Sequence, residues 1–296
     1  MDRSGPLLPA VLRSVLYLPA SNARAVDKAR TLSADALVLD LEDAVAPEAK
    51  AGARDAACAA VRSGGYGGRV VTIRCNGLDT PWGEADLIAA AAAGPHAVVL
   101  PKVAGRAALD DVAALVGPRT RLWAMVETPS AVFGARELAA HPQVDALVMG
   151  TNDLAAELRA SHVPGRAPLL PHLATVLLAA REAGVLALDG VYGDVRDLEG
   201  FEAECRQAAE LGFDGKTLVH PDQVEVANRV WTPDRAAVEH ARRVVEAFSA
   251  AKEQGRGVVL VDGRMVEQLH VDTARRVLAT ARTAGWTVDA AVDVTG

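Results

Sequence analysis

Arg121-Leu-Trp-Ala-Met-Val-Glu127-Thr128 reads as a strand covered on both faces, because its apolar residues run without a break instead of alternating with polar ones. It ends on a carboxylate. Seven more runs share this pattern: Ser14–Pro19, Ala36–Glu42, Arg69–Asn76, Ala97–Val103, Ala146–Asp153, Leu186–Gly193 and Gly215–Pro221. Ala-rich segments with helical spacing lie between them, as at Arg24–Ser33, Glu48–Arg62, Glu84–Ala93 and Leu198–Leu211. Strand then helix, repeated eight times, predicts an α/β protein with a closed (β/α)8 TIM barrel. An open doubly wound sheet is the alternative, but no GxGxxG follows the first run.

Polar residues gather where the runs stop: Asp40, Glu42 and Asp43, then Arg74 and Asn76, Lys102, Glu127, Asn152 and Asp153, Asp189 with Tyr192, and His220. In a barrel these ends converge on one face, where strand-to-helix loops build active sites. Glu127 and Asp153 close two separate strands, and carboxylates so placed suit a hard cation such as Mg²⁺. The competing reading makes them acids that cap helices or pair with Lys. Arg74 offers a planar fork for a carboxylate or enolate oxygen. A salt bridge from Arg74 to Asp40, Glu42 or Asp43 competes with that role and is also compatible with it, since those acids would hold the guanidinium in place. Glu42 and Asp43 are accordingly expected beside the metal's waters.

With 296 residues, half of them apolar, the chain can bury a full core. A net charge of −7 disfavours nucleic acid as a partner. Cys58, Cys75 and Cys205 fall in no metal or CxxC spacing and fit a reducing cytosol. The N-terminal stretch is broken by Pro6 and Pro9 and does not read as a signal peptide. No apolar run reaches the roughly 20 residues of a spanning helix, so a cytoplasmic protein without a membrane partner is expected. Residues 1–232 are assigned to the barrel and 233–296 to an extension acting as a lid or oligomer contact. The extension reads as a helix over Pro233–Gln254, a hairpin turning at Asp262-Gly263, a helix over Val271–Ala284 and a weakly ordered last dozen residues.

Taken together, Arg13-Ser-Val-Leu-Tyr-Leu-Pro-Ala20, Leu39-Asp-Leu-Glu-Asp-Ala-Val45, Arg74-Cys-Asn76, Leu100-Pro-Lys102, Glu127-Thr-Pro129, Gly150-Thr-Asn-Asp-Leu154, Asp189-Gly-Val-Tyr192 and Asp214-Gly-Lys216 with His220-Pro221 resemble the citrate lyase β subunit-like family. That family holds malyl-CoA and citramalyl-CoA lyases and belongs to the wider HpcH/HpaI aldolase group. The resemblance implies a barrel in homotrimers or homohexamers, with a C-terminal segment closing over a neighbour's site. It implies Mg²⁺ on Glu127 and Asp153, an oxo acid on Arg74 with Asn76 and Glu127 beside it, and a CoA thioester whose phosphates lie near Arg24 and Lys28.

The activity so implied is C–C cleavage of a 3-hydroxy-3-carboxyacyl-CoA to acetyl-CoA or propionyl-CoA and glyoxylate or pyruvate. Its alternatives are a malyl-CoA-type thioesterase, a citrate lyase β subunit using an acyl-carrier-protein thioester, and a silent CoA-ester-binding homologue. The chain departs from the family pattern in two places. Ala20 stands where a Gly is usual, and the C-terminal Asp262-Gly-Arg-Met-Val-Glu267 carries Glu267 where the family's catalytic Asp is expected. Glu267 can make the same proton transfer from a side chain one methylene longer.

Overall fold

The computed structural model describes residues 11–287. Eight strands, β1 (Ser14–Pro19), β2 (Ala36–Asp40), β3 (Val70–Arg74), β4 (Ala97–Leu100), β5 (Leu122–Val126), β6 (Val144–Met149), β7 (Leu186–Asp189) and β8 (Gly215–Leu218), close into a parallel barrel in sequence order, β8 pairing back onto β1. The expected (β/α)8 barrel is therefore the fold. β2, β3, β4, β5 and β8 stop two or three residues short of the apolar runs that announced them, so the last residues of those runs belong to the loops. β6 starts two residues early, at Val144.

The helices are α1 (Ala23–Lys28), α2 (Lys50–Ser63), α3 (Gly83–Ala93), α4 (Arg106–Val116), α5 (Pro129–Phe133), α6 (Ala135–Ala139), α7 (Thr151–Leu158), α8 (Leu170–Ala183), α9 (Leu198–Leu211) and α10 (Gln223–Trp231). Local chemistry sets several of their ends. Asn22, Thr128 and Asp197 accept a backbone N–H at the starts of α1, α5 and α9, and left-handed Gly94, Gly184 and Gly212 stop α3, α8 and α9. Among the described residues no helix is long and apolar enough to cross a membrane.

Inside the barrel, Val15, Val38, Val99, Trp123, Met125, Val148 and Leu188 form one buried cluster. Side chains on a strand alternate between faces with period two. Two residues beyond Val15, Val38 and Met125 stand Tyr17, Asp40 and Glu127, and two beyond the buried Thr72 stands Arg74. The same alternation that fills the core therefore aims these four at the barrel axis above it.

The described residues form two compact units, with the boundary between Ala227 and Asn228. In the second, α11 (Arg235–Glu253) and α12 (Gln268–Thr283) pack through Val238, Val245, Phe248, Val271 and Leu278. Strands β9 (Val259–Val261) and β10 (Arg264–Val266) pair antiparallel around the expected turn. Asp262 and Gly263 both have positive φ, 49° and 76°, as a two-residue hairpin turn demands. The helix predicted from Val271 begins at Gln268, three residues earlier. The expectation of weak order at the C-terminus falls largely outside the described residues.

Candidate active site

Arg74 and Asp40 are direct register partners on neighbouring strands, and that pairing builds the site. Arg74 Nε donates to Asp40 Oδ1 at 2.6 Å and Nη2 donates to Oδ2 at 2.7 Å. The same carboxylate accepts the Glu42 and Ala44 N–H groups at 2.9 and 3.2 Å, so it shapes the β2 loop as well as the guanidinium. A fully occupied, bidentate buried carboxylate of this kind leaves Arg74 little freedom. Glu42 Oε2 lies 2.7 Å from Arg74 Nη1 yet off the N–H direction, so that oxygen is buried without a hydrogen-bond partner. Asp43 is mostly exposed and 3.5 Å from Nη1. Buried Lys50 donates to the carbonyls of Leu41 and Glu42 at 2.9 Å, pinning the loop from beneath.

Across the barrel mouth, Glu127 is buried and its Oε1 accepts the Lys102 N–H at 2.6 Å. Gly150 is what lets it lie there: an added Cβ would collide with Glu127 Cβ and Oε2. Burial pushes the Glu127 carboxyl up to about 7, the Lys102 N–H opposing and the Asp153 charge adding. Burial likewise lifts Glu42 to about 7, against the pull of Arg74 and with the push of Asp43, Glu127 and Asp40. Asp153 sits in the first turn of α7 and lines the open space above Arg74. That space is a cavity of about 370 Å³ whose wall includes Tyr17, Asp40, Arg74, Met125, Met149 and Asp153.

Among the described residues, no group of three or more His, Cys, Asp or Glu side chains is arranged to hold a metal unaided. Mg²⁺ takes one or two carboxylates and fills its octahedron with waters and ligand oxygens. Glu127 and Asp153, with the Glu42 Oε2 that is buried without a hydrogen bond, are the hard oxygen donors such an ion takes. The residues present fit the ion.

Of the residues singled out from sequence, Arg74, Asp43 and Asp153 line this cavity, while Glu42 lies against Arg74 and Glu127 against the lining residue Gly150. Asn76 does not join them. Its Nδ2 donates to Leu41 O at 3.0 Å and to Asp86 Oδ2 at 2.6 Å, and it stands outside the cavity wall. Two residues past Arg74 the chain has left the strand, and strict alternation no longer aims Asn76 inward. Arg24 and Lys28 share an exposed face of α1. Glu267 lies in the second unit, exposed at the start of α12, where its N–H donates to His270 Nδ1 at 3.1 Å.

Of the three acids that the sequence offered as partners of Arg74, Asp40 makes the bidentate pair. Two features had no reading in the sequence. Tyr17 faces the cavity. A buried network joins Lys216 Nζ to Asp189 Oδ2 (2.6 Å) and Glu204 Oε1 (2.7 Å), with Arg166 Nη1 on Asp189 Oδ1 (2.7 Å). It braces the ends of β7 and β8.

A parallel barrel whose strand ends carry acids and an arginine clamped by Asp40 has the layout of a barrel enzyme's active-site face. Residues 13–221 match the family described as HpcH/HpaI aldolase/citrate lyase. The chain is 50% identical over 269 residues to a (3S)-malyl-CoA thioesterase of Cereibacter sphaeroides strain KD131, covering 91% of this chain and 94% of that protein. It is 36% identical over 284 residues to the citrate lyase subunit beta of Escherichia coli K12, covering 92% and 94%. The solved structure of CitE from Mycobacterium tuberculosis in complex with magnesium, acetoacetate and coenzyme A superposes with a TM-score of 0.74 at 31% identity, over 95% of this chain and 100% of that one. The protein is an enzyme of the HpcH/HpaI aldolase/citrate lyase family.

Proposed function

We propose that the chain is a Mg²⁺-dependent enzyme acting on a CoA ester of the malyl type, a 3-hydroxy-3-carboxyacyl-CoA. One observation carries this. Arg74 spends two of its five N–H groups on Asp40 and still faces a cavity bounded on the far side by Asp153, with Glu127 beside it. In this reading Arg74 holds the hydroxy-acid carboxylate, with Asp40 fixing its plane, while Glu127 and Asp153 hold the metal. Bound there, Mg²⁺ would supply Lewis-acid stabilisation of charge on the substrate's oxygen. Arg24 and Lys28 would meet the CoA phosphates. Glu267 would carry the proton, in a homotrimer or homohexamer.

Two outcomes are open to such an ester. Water can add to the thioester carbonyl, releasing the CoA thiol and free hydroxy acid. Alternatively, the hydroxyl gives its proton to a base and its oxygen becomes the carbonyl of released glyoxylate or pyruvate as the bond between the hydroxyl carbon and the α-carbon breaks; the electron pair of that bond becomes a thioester enolate, which takes a proton back at the α-carbon to give acetyl-CoA or propionyl-CoA. The 50% likeness to malyl-CoA thioesterases supports hydrolysis as the first reading. The aldolase and citrate lyase likeness supports C–C cleavage as the second.

The test is incubation with (S)-malyl-CoA and (S)-citramalyl-CoA, with and without Mg²⁺, followed by chromatography of the products. Free CoA with malate or citramalate, lost on adding EDTA, is the expected result. Acetyl-CoA with an oxo acid would establish the second reading. Turnover of neither ester would sink the malyl-type assignment.

A further inference from the structure

Two hydrogen-bond donors in the cavity converge on one poor acceptor. Tyr17 Oη lies 3.8 Å from Met125 Sδ, and Arg74 Nη1 lies 4.0 Å from the same sulfur. A thioether is a weak acceptor. The Tyr17 hydroxyl has no other hydrogen-bond partner among the described residues, although the Asp40 and Glu127 carboxylates are close enough to act on it electrostatically. All three residues line the cavity. The Arg74 guanidinium lies over the Tyr17 ring, 4.9 Å from its centroid, so ring and fork hold each other in place. Burial above all raises the phenol's pKa, partly offset by Arg74 and reinforced by Asp40, Glu127 and Glu42, which keeps the hydroxyl protonated. The outcome is a two-donor pocket facing open space, supplied from β1 and β3 and floored by a sulfur that yields readily to a better acceptor.

We propose that Tyr17 is a substrate-binding residue whose hydroxyl donates to the carboxylate that Arg74 also holds. The assignment rests on the reading above, in which Arg74 takes the acid end of the substrate, and it names a second group for that same end. A carboxylate with one oxygen near the Met125 sulfur meets a neutral and a charged donor from two strands whose backbones are fixed by barrel pairing. Such preorganisation makes the second bond count in affinity.

The experiment is calorimetric titration of the Mg²⁺-equilibrated full chain with glyoxylate and with pyruvate, comparing wild type, Tyr17→Phe and Arg74→Gln. Thermal midpoint and Mg²⁺ affinity are measured on the same samples. Tyr17→Phe is expected to weaken oxo-acid binding about 10- to 100-fold, the range for a hydrogen bond to a charged group, while leaving Mg²⁺ affinity and midpoint unchanged. Should Tyr17→Phe bind both acids like wild type while Arg74→Gln loses them, the role of Tyr17 falls and that of Arg74 stands. If wild type itself binds neither acid, the reading of the whole site falls, and this assignment with it. Parallel loss of Mg²⁺ affinity and midpoint in Tyr17→Phe would make it a packing residue and overturn the proposal.

Discussion

Replacing Asp40 by Asn removes one charge while keeping the side chain's shape, and its cost follows from the contacts described. Asp40 is almost wholly buried, Arg74 nearly so, and two charge-assisted bonds of 2.6 and 2.7 Å join them. Both oxygens of Asp40 also accept backbone N–H groups, so an amide NH₂ turned either way faces a donor. The guanidinium would be left with the misaligned Glu42 and the exposed Asp43. Removing one partner of a buried pair costs about 3–5 kcal/mol. For a unit of this size each kcal/mol moves the midpoint by about 2–4 °C, giving an expected fall of about 6–20 °C. Thermal unfolding followed by circular dichroism in EDTA measures it. Asp43→Asn, changing an exposed acid beside the same guanidinium, is the control and should move the midpoint by no more than about 4 °C. Equal shifts in the two variants would refute the view that the Asp40 pair organises the site.

Gly150→Ala should lower Mg²⁺ affinity about 10- to 100-fold in a calorimetric titration, because the new methyl collides with Glu127; unchanged affinity would mean Glu127 is not a ligand. Glu42 and Glu127, lifted to about 7 from the ordinary 4.5, hold protons up to neutrality that have to leave before a cation can bind. Apparent Mg²⁺ affinity should therefore fall about tenfold for each titrating group between pH 8 and pH 6, and a flat profile would show that neither proton is displaced. Lys216→Met leaves Asp189 and Glu204 without their buried cation, and should lower the thermal midpoint by about 6–20 °C. A shift under about 3 °C would show that Arg166 alone neutralises them.

The barrel was legible because burial on both faces writes itself into consecutive residues. Runs such as Leu122–Val126 need no partner strand to be recognised, and eight of them in a chain of this length leave little choice of architecture. The polar residue ending each run was legible for the same reason, and so Arg74, Glu127 and Asp153 could be named from their positions. Asp262-Gly263 declared its turn through two residues that tolerate positive φ.

Which side chains meet was decided elsewhere. Asp40 faces Arg74 because β2 and β3 pair in a register that sets those two residues side by side, and nothing in either segment alone specifies it. Asn76 follows the same polar pattern as Arg74, yet it turns to Asp86 once the strand has ended. Lys216 sits in an apolar-looking run and is fully buried only because Asp189 and Glu204 arrive from other elements. Tyr17 and Met125 lie on strands four places apart and touch only across the closed barrel. The sequence determined the elements and the kinds of residue at their ends, since periodicity and propensity act between near neighbours. The tertiary structure alone decided the pairings, because register and closure set distances between residues that the chain keeps far apart.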